Sequence, residues 1–371
     1  MTESKDRLRV LIVEDSGFMR KVLHDIISAD PQMEVVGEAR DGREGVALAQ
    51  ALKPDVITMD INMPHLDGLQ ATELIMSQNP RPIVIVSSES REGASETLRA
   101  LELGAVDFVP KPSSGIDLDM HRVGQELSRK LKTAAKVRVV RTATLSRIGQ
   151  PAGKPLAASG SASSILPTAA ASSPRFPCIV VAASTGGPAT VLSMIPRLPK
   201  DLPAAVVLVQ HMPAAFTSQF TVQLADASRL RVKEAAASEV IQPGIVYVCP
   251  GSHHLRFAGG GRITLDGGDR ISGYRPCADV ALETAADYLG PMTVGVILTG
   301  MGNDGAKGVK AVKLAGGYVI AQDEATSVIF GMPAEAIKTG VVDEILAIDD
   351  IAAAIERRTM QLCRVTPVNA R

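Results

Sequence analysis

Short β-branched runs alternate with helically spaced apolar residues twice along this chain, and a stretch without one acidic side chain separates the two series. In the first series the strand candidates are Arg9 to Val13, Glu34 to Glu38, Val56 to Met59, Ile83 to Val86 and Ala105 to Val109. After the first of them Phe18, Met19, Val22, Leu23, Ile26 and Ile27 recur at helical spacing, with Ser16 available as N-cap, so one helix face is expected to be apolar. Strands joined through helices run parallel and are covered on both faces, so a five-stranded parallel sheet is expected. From Phe176 the alternation resumes, with Cys178 to Ala183, Ala204 to Gln210, Val294 to Leu298 and Tyr318 to Ala321 as buried strands. Ala278 to Leu289 and Gly305 to Leu314 are helical, which predicts a second, doubly wound α/β domain, and the Gly-rich segment Val232 to Asp269 predicts a hairpin excursion.

The separating stretch, Lys136 to Pro174, turns into Ala, Ser, Gly and Pro with few large apolar side chains. It cannot bury enough surface to fold alone and is expected to be a flexible tether, kept solvated by Arg138, Arg141, Arg147 and Lys154. The expected domains are 1–136 and 176–371, with the linker at 137–175. A length of 371 residues, 46% of them hydrophobic, is enough for two cores.

The formal net charge of -1 offers no global attraction to nucleic acid or anionic lipid. Cys178, Cys249, Cys277 and Cys363 lie far apart, so neither a zinc set nor a redox dithiol is suggested, and reduced thiols fit a cytoplasmic location. The first apolar run, Val10 to Val13, is too short for an export signal and no stretch approaches a membrane span, so no direct membrane insertion is expected.

Ligands of open parallel sheets bind at the carboxyl ends of the strands, and there the first series carries its polar residues. Glu14 and Asp15 close the first strand, Asp60 the third and Ser87 the fourth, and Lys111 follows the fifth. Three carboxylates this close repel one another unless a divalent cation neutralises them, and Mg²⁺ suits one or two carboxylates plus phosphate oxygens. With the charge neutralised, Asp60 can attack a phosphoryl group while Ser87 and Lys111 hold its oxygens; Glu14, Asp15 and Asp60 are the expected metal ligands. Any one of these acids alone would be an ordinary turn-former, but five suitable residues at strand ends are a pattern.

The segments VLIVED, VITMDINMP, VIVSS and GAVDFVPKP resemble the response-regulator receiver family, which implies a flavodoxin-like fold. The resemblance implies that Asp60 accepts phosphate from a histidine kinase, that the Lys111 to Pro112 bond is cis, and that Phe108 is the switch aromatic.

In the second series the strand Cys178 to Ala183 runs into Ser184, Thr185, Gly186, Gly187 and Pro188, then helical spacing begins. A strand-turn-helix sets Ser184 beside a helix N-terminus, where backbone N–H groups favour negative charge. A nucleotide loop is the competing interpretation, but the full G-x-G-x-x-G spacing and a lysine-serine pair are both missing. A nucleophilic serine needs a base and the base an acid. His211 follows the apolar run Ala204 to Val209, and Asp304 lies in the Gly-rich loop after Val294 to Leu298, giving a triad in the order Ser, His, Asp. His253 and His254 are rival bases in a turn-rich segment expected to be solvated, and Cys277 is a rival nucleophile.

AASTGGP, QHMP, PGSHHL, LTGMGNDGAKG and AQDEATSVIFGMP resemble the chemotaxis protein-glutamate methylesterase family CheB from about Phe176 to near the C-terminus. The resemblance carries over Ser184, His211 and Asp304 as the triad and the Met301 backbone N–H as an oxyanion donor. It departs from the family at Ala182, where glycine is usual, and at GYRPCAD, which replaces a His-Arg-Pro-Ser-type stretch.

The implied function is phosphorylation-regulated hydrolysis of glutamate γ-methyl esters on methylated chemoreceptors, with glutamine deamidation as a related activity and no cofactor for the esterase chemistry. The competing reading is a phospho-dependent binding regulator whose esterase domain is inactive or differently directed. A transcriptional output would need a recognition helix after the linker, where strands and a Gly-rich serine loop stand instead.

Overall fold

The computed structural model describes residues 7–88, 90–111, 117–137 and 176–365, and two parallel sheets carry its fold. Pro112 and, beyond Val137, the expected tether lie outside the described residues.

The first unit runs β1 (Leu8–Val13), α1 (Gly17–Ser28), β2 (Met33–Ala39), α2 (Gly42–Leu52), β3 (Val56–Asp60), α3 (Gly68–Gln78), β4 (Ile83–Ser87), α4 (Arg91–Glu102), β5 (Asp107–Pro110) and α5 (Asp117–Ala134). Its sheet order is β2-β1-β3-β4-β5, all parallel, so the direction of winding reverses between β1 and β3. Every residue of β3 and β4 is buried, as expected of largely apolar strands covered on both faces. The helices start on polar caps: the side chains of Ser16, Asp41, Asp67 and Ser90 each accept a backbone N–H three residues on.

The expected apolar face of α1 is narrower than its six candidates. Leu23 and Ile27 are buried, but Phe18 is 75% exposed. At about 100° per residue Phe18 falls on the face opposite Ile27, so these two cannot both meet the sheet.

The second unit runs β6 (Cys178–Ala183), α6 (Gly187–Met194), β7 (Ala205–Gln210), α7 (Ala214–Ala227), β8 (Arg231–Glu234), β9 (Ile245–Val248), β10 (His254–Ala258), β11 (Arg262–Asp266), α8 (Ala278–Leu289), β12 (Thr293–Ile297), α9 (Ala306–Leu314), β13 (Tyr318–Gln322), α10 (Met332–Lys338), β14 (Glu344–Leu346) and α11 (Ile348–Val365). Seven strands pair in parallel in the order β14-β13-β12-β6-β7-β9-β8, and the winding reverses between β6 and β12. The expected hairpin is β10 and β11, an antiparallel pair outside the main sheet. The same segment also holds β8 and β9, which join the main sheet; β8, with the sequence RVKE, is a partly exposed edge and lacks the apolar signature of the inner strands.

The two units share one apolar cluster that extends from Leu11 and Ile57 to Ile179 and Phe216. At their boundary α4 packs on α6 and α7, and the rings of Phe108 and Phe216 stack with centroids 4.3 Å apart.

The end of β3 is positioned by a close approach that only glycine permits. A Cβ at Gly68 would lie 2.0 Å from the Asp60 carbonyl oxygen and 2.8 Å from the Ile61 Cα, backbone atoms that cannot rotate away. Gly68→Ala is expected to destabilise the first unit by about 2 kcal/mol or more, in the range of overpacked cores, read as a lower urea midpoint. An unchanged midpoint would mean that α3 can lift from β3 without penalty.

Candidate functional sites

Both reversals of winding open a crevice at the carboxyl ends of the strands, and the polar residues singled out above gather in these crevices. In the first unit Glu14 and Asp15 follow β1, and Asp60 and Ser87 are the last residues of β3 and β4. One oxygen from each of Glu14, Asp15 and Asp60 lies within 4.8 Å of the others. Lys111, just past β5, places Nζ 2.9 Å from Asp60 Oδ2 and 3.0 Å from Glu14 Oε2. The Ser87 hydroxyl reaches the same edge and donates to the Gly93 carbonyl at 3.2 Å.

This cluster is short of positive charge. Burial, with the Asp60 charge adding to it, pushes the Glu14 carboxyl up to about 7, although Lys111 opposes the shift. Asp60 is raised as well, by burial first, against the pull of the Lys111 ammonium. Burial would lower Lys111, but the carboxylates of Asp60 and Glu14 outweigh it and hold the ammonium above its ordinary range. Three hard oxygen donors converging beside one ammonium fit a small divalent cation such as Mg²⁺.

In the second unit Ser184 follows β6 and His211 follows β7, while Asp304 lies beyond β12 on the other side of β6. The turn carrying Ser184 is pinned on both sides. Its N–H donates to the Thr299 carbonyl at 3.0 Å, and its carbonyl accepts from Gly187 N at 2.8 Å and Gln210 Nε2 at 2.9 Å. Gly186 holds φ +75, and a Cβ at Gly187 would lie 2.9 Å from Ala183 Cβ and 2.2 Å from Gln210 Oε1, so the turn favours glycine at both positions.

His211 Nε2 lies 2.7 Å from Asp304 Oδ2, and its Nδ1 is buried with no hydrogen-bond partner. The Tyr274 ring stacks on the imidazole at 4.5 Å between centroids. Asp304 is 3% exposed; burial would raise its carboxyl, but the bond and charge of His211 and the N–H groups of Ala278 and Asp279 reverse that and hold it below the usual range. Among the described residues neither the Ser184 hydroxyl nor the Met301 N–H has a hydrogen-bond partner, so a nucleophile and a donor both remain available. The three residues of the expected triad are thus brought to one edge, with the acid and base already bonded.

The rivals separate on geometry. His254 opens β10, is fully buried and directs Nε2 at the Asp269 carbonyl, 2.9 Å away, so the expectation of a solvated histidine pair is corrected at this residue: the chain beyond β11 returns over it and supplies its partner. His253 stays in the turn before β10, with Nδ1 2.8 Å from the Ser252 hydroxyl. Cys277 is buried with Sγ 3.2 Å from Asp304 Oδ1, and burial together with the Asp304 charge pushes its thiol up to about 12.

Sequence reasoning did not single out Tyr274 or Asp279. Both lie in GYRPCAD, the stretch that departs from the family pattern, and that departure was the available signal. Thr185 was also missed in its role at the boundary between the units, where its hydroxyl donates to Asp107 of β5. Nearby the Thr133 hydroxyl meets Met301 Sδ, and Gln223 bonds Glu102. Asp107 and Thr185 themselves line a cleft of about 760 Å³, with Ser184, His211 and Tyr274 from the second unit and Arg129 and Lys130 from the first.

Residues 10–139 match the response regulator receiver domain family and residues 179–355 the CheB methylesterase family. A protein-glutamate methylesterase/protein-glutamine glutaminase of Pyrococcus horikoshii is 45% identical over 94% of this chain and 93% of its own length. Proteins of the same name from Symbiobacterium thermophilum, covering 94% of this chain and 96% of their own, and from Thermotoga maritima, covering 91% and 95%, are also 45% identical. Among the described residues no helix is long and apolar enough to cross a membrane.

A thiol held this high and this deep is a poor nucleophile. Iodoacetamide at neutral pH is expected to leave Cys277 unlabelled in the folded protein and to label it after denaturation, as read by peptide mass. Rapid labelling of the native chain would reinstate the thiol as a nucleophile.

Proposed function

We propose the function of this chain from one premise: it belongs to the protein-glutamate methylesterase/protein-glutamine glutaminase family, with a receiver ahead of the catalytic domain. It is a phosphorylation-regulated carboxylic ester hydrolase that converts glutamate γ-methyl esters of chemoreceptors to glutamate and methanol, and glutamine side chains to glutamate and ammonia. Its division is taken as receiver 1–136, linker 137–175 and catalytic domain 176–371.

The observation that carries the chemistry is the 2.7 Å pairing of His211 Nε2 with Asp304, which leaves Nδ1 as the basic nitrogen at the edge that holds Ser184. In the proposed reaction Ser184 Oγ attacks the ester carbonyl and gives its proton to Nδ1. Asp304 stabilises the imidazolium through Nε2, and the Met301 N–H meets the oxyanion. Collapse expels methanol, which takes the proton from Nδ1. Water, deprotonated by the same nitrogen, then cleaves the acyl-serine and frees glutamate. The Ser184 hydroxyl must tighten onto Nδ1 when substrate binds, as is common for apo sites.

In the receiver, Asp60 is the proposed phosphoacceptor, with a histidine kinase as phosphodonor. Glu14, Asp15 and Asp60 would hold Mg²⁺, which supplies charge neutralisation for in-line phosphoryl transfer. Ser87 and Lys111 then hold phosphoryl oxygens, Ser87 by turning its hydroxyl away from Gly93.

The contacts of Asp107 with Thr185 and of Phe108 with Phe216 support a resting state in which the receiver covers the cleft. Phosphorylation at Asp60 would weaken that docking through its differential affinity for the two states, although a tether spanning 137–175 would keep the effective concentration high.

The direct experiment measures methanol release from methylated receptor. Ser184→Ala is expected to lower kcat by roughly 10⁴-fold or more without unfolding, because triad members act as a unit. Wild-type chain that releases no methanol under phosphodonor and Mg²⁺ would favour the binding-regulator reading. If His253→Ala were as damaging as Ser184→Ala while His211→Ala kept wild-type rates, the base would be misassigned.

For regulation, a fragment beginning near Phe176 is expected to turn over faster than the unphosphorylated full chain, with folding confirmed by circular dichroism. A small phosphodonor in Mg²⁺ should raise the full chain's rate, and Asp60→Asn should abolish both phosphorylation and that rise. A folded fragment slower than the resting full chain would mean that the receiver activates or recruits and does not obstruct.

A further inference from the structure

We infer that Asp279 is the positioning residue of the catalytic acid: Asp279 and Asp304 cap each other's helices, and this exchange fixes the loop that delivers Asp304 to His211. The inference rests on the reading of Asp304 as the acid of the triad.

The first turn of a helix leaves backbone N–H groups that need acceptors. Neither α8 nor α9 supplies them locally, because Cys277 makes no side-chain cap bond to α8 and Gly305, ahead of α9, has no side chain. Each helix instead takes its acceptor from the other. Asp304, one residue before Gly305, accepts from Ala278 N at 2.7 Å through Oδ2 and from Asp279 N at 2.9 Å through Oδ1. Asp279, in the first turn of α8, accepts through Oδ1 from Gly305 N at 2.9 Å, Lys307 N at 3.0 Å and Gly308 N at 2.8 Å. Each carboxylate therefore stands at the positive end of the partner helix.

The exchange depends on a close helix crossing. A Cβ at Gly308 would lie 2.4 Å from Leu282 Cβ and 3.2 Å from Asp279 Cα, so α8 and α9 touch at the turns that hold the two acids. It also sets the plane of the catalytic carboxylate. Oδ2 is shared between His211 Nε2 and Ala278 N, while Oδ1 takes Asp279 N and Cys277 Sγ, so both oxygens are committed.

The loop itself turns on two left-handed glycines, Gly302 at φ +94 and Gly305 at φ +100. Its far end is tied down by the three bonds to Asp279 Oδ1, and cutting them frees the segment that carries Asp304. Asp279 does this although burial, and then the charge of Asp304, raise its carboxyl. A neutral acceptor would cap α9 without that repulsion, so geometry and charge can be separated by substitution.

The test uses the full chain, phosphorylated, with methanol release from methylated receptor. Asp279→Ala is expected to lower kcat by about 10²-fold, as a misplacement of order 1 Å does, with KM changed less than about threefold. The acid limb of kcat/KM should move to lower pH, because an imidazolium with a poorly placed partner loses its proton sooner. Asp279→Asn keeps the acceptor oxygen and should stay within about fivefold of wild type with its acid limb in place. Amide hydrogen exchange at Gly305, Lys307 and Gly308 should accelerate in the alanine variant alone. If Asp279→Ala does not fold, Asp279→Ser, whose hydroxyl is too short to reach all three amides, is expected to give the same limb shift with a smaller loss of kcat.

Wild-type kcat and an unmoved acid limb in a folded Ala or Ser variant would overturn the positioning role and leave a purely structural one. Asn as impaired as Ala would also overturn it, since charge and not capping would then matter. Turnover retained by Ser184→Ala or Asp304→Asn would instead defeat the triad reading itself. Inactive Ser184 and Asp304 variants beside a fully active Asp279→Ala would defeat only the positioning.

Discussion

Where a parallel sheet changes its direction of winding, the chain segments leaving two adjacent strands turn to opposite faces, and neither fills the space above the strand ends. The structure depends on this constraint twice. Between β1 and β3 the opening receives Glu14, Asp15 and Asp60, and beside β6 and β12 it receives Ser184 and the loop of Asp304. The apolar strands beneath are buried throughout, so the polar residues at their ends stand on supports that barely move. Fold and site are coupled through the backbone: the same hydrogen-bond ladder that pairs β6 with β7 and β12 sets the spacing of Ser184, His211 and Asp304.

The two crevices treat buried carboxylates in opposite ways. Asp304 has donors for both oxygens and is held below the usual carboxyl range, so it is a stable anion fixed in its orientation. Asp60 and Glu14 share one ammonium and are both raised, so that pocket is electrostatically unfinished. Such a pocket responds to added charge, whether cation or phosphoryl group, which is what a switch requires. On the proposed function the finished site would perform the reaction and the unfinished one would receive the signal. Between them the stacked pair Phe108 and Phe216 ties β5, which leads to Lys111, to α7, which follows His211.

Most of the strand scaffold was legible because its determinants are local. Ser16 caps α1 as expected, Cys178 to Ala183 and Ala278 to Leu289 begin and end where the sequence pattern placed them, and the residues expected at strand ends are found there. What escaped detection depends on tertiary approach. The edge strand β8 carries RVKE and has no apolar run to reveal it, and buried His254 takes its partner from the Asp269 carbonyl, a backbone atom that no sequence pattern announces. Tyr274 over His211 and the amides gathered by Asp279 join residues from separate elements, and the amides leave no trace in side-chain identity. The altered stretch around Cys277 marked the place without indicating what it does.

The imidazole of His211 is grasped at its outer nitrogen, and this changes how the ring can move. Its inner nitrogen, Nδ1, is one bond from the carbon that joins the ring to the side-chain stem, while the far tip is tethered to Asp304 and one face is covered by Tyr274. Nδ1, the proton carrier of the proposed mechanism, therefore sits between two anchored points, near the pivot of the ring and away from its swinging end. A base held in that way has a short lever arm. On the proposed mechanism the last adjustment that brings the reacting atoms together would fall to Ser184, whose small side chain turns about a single bond, and the moving part would be the lightest group in the site.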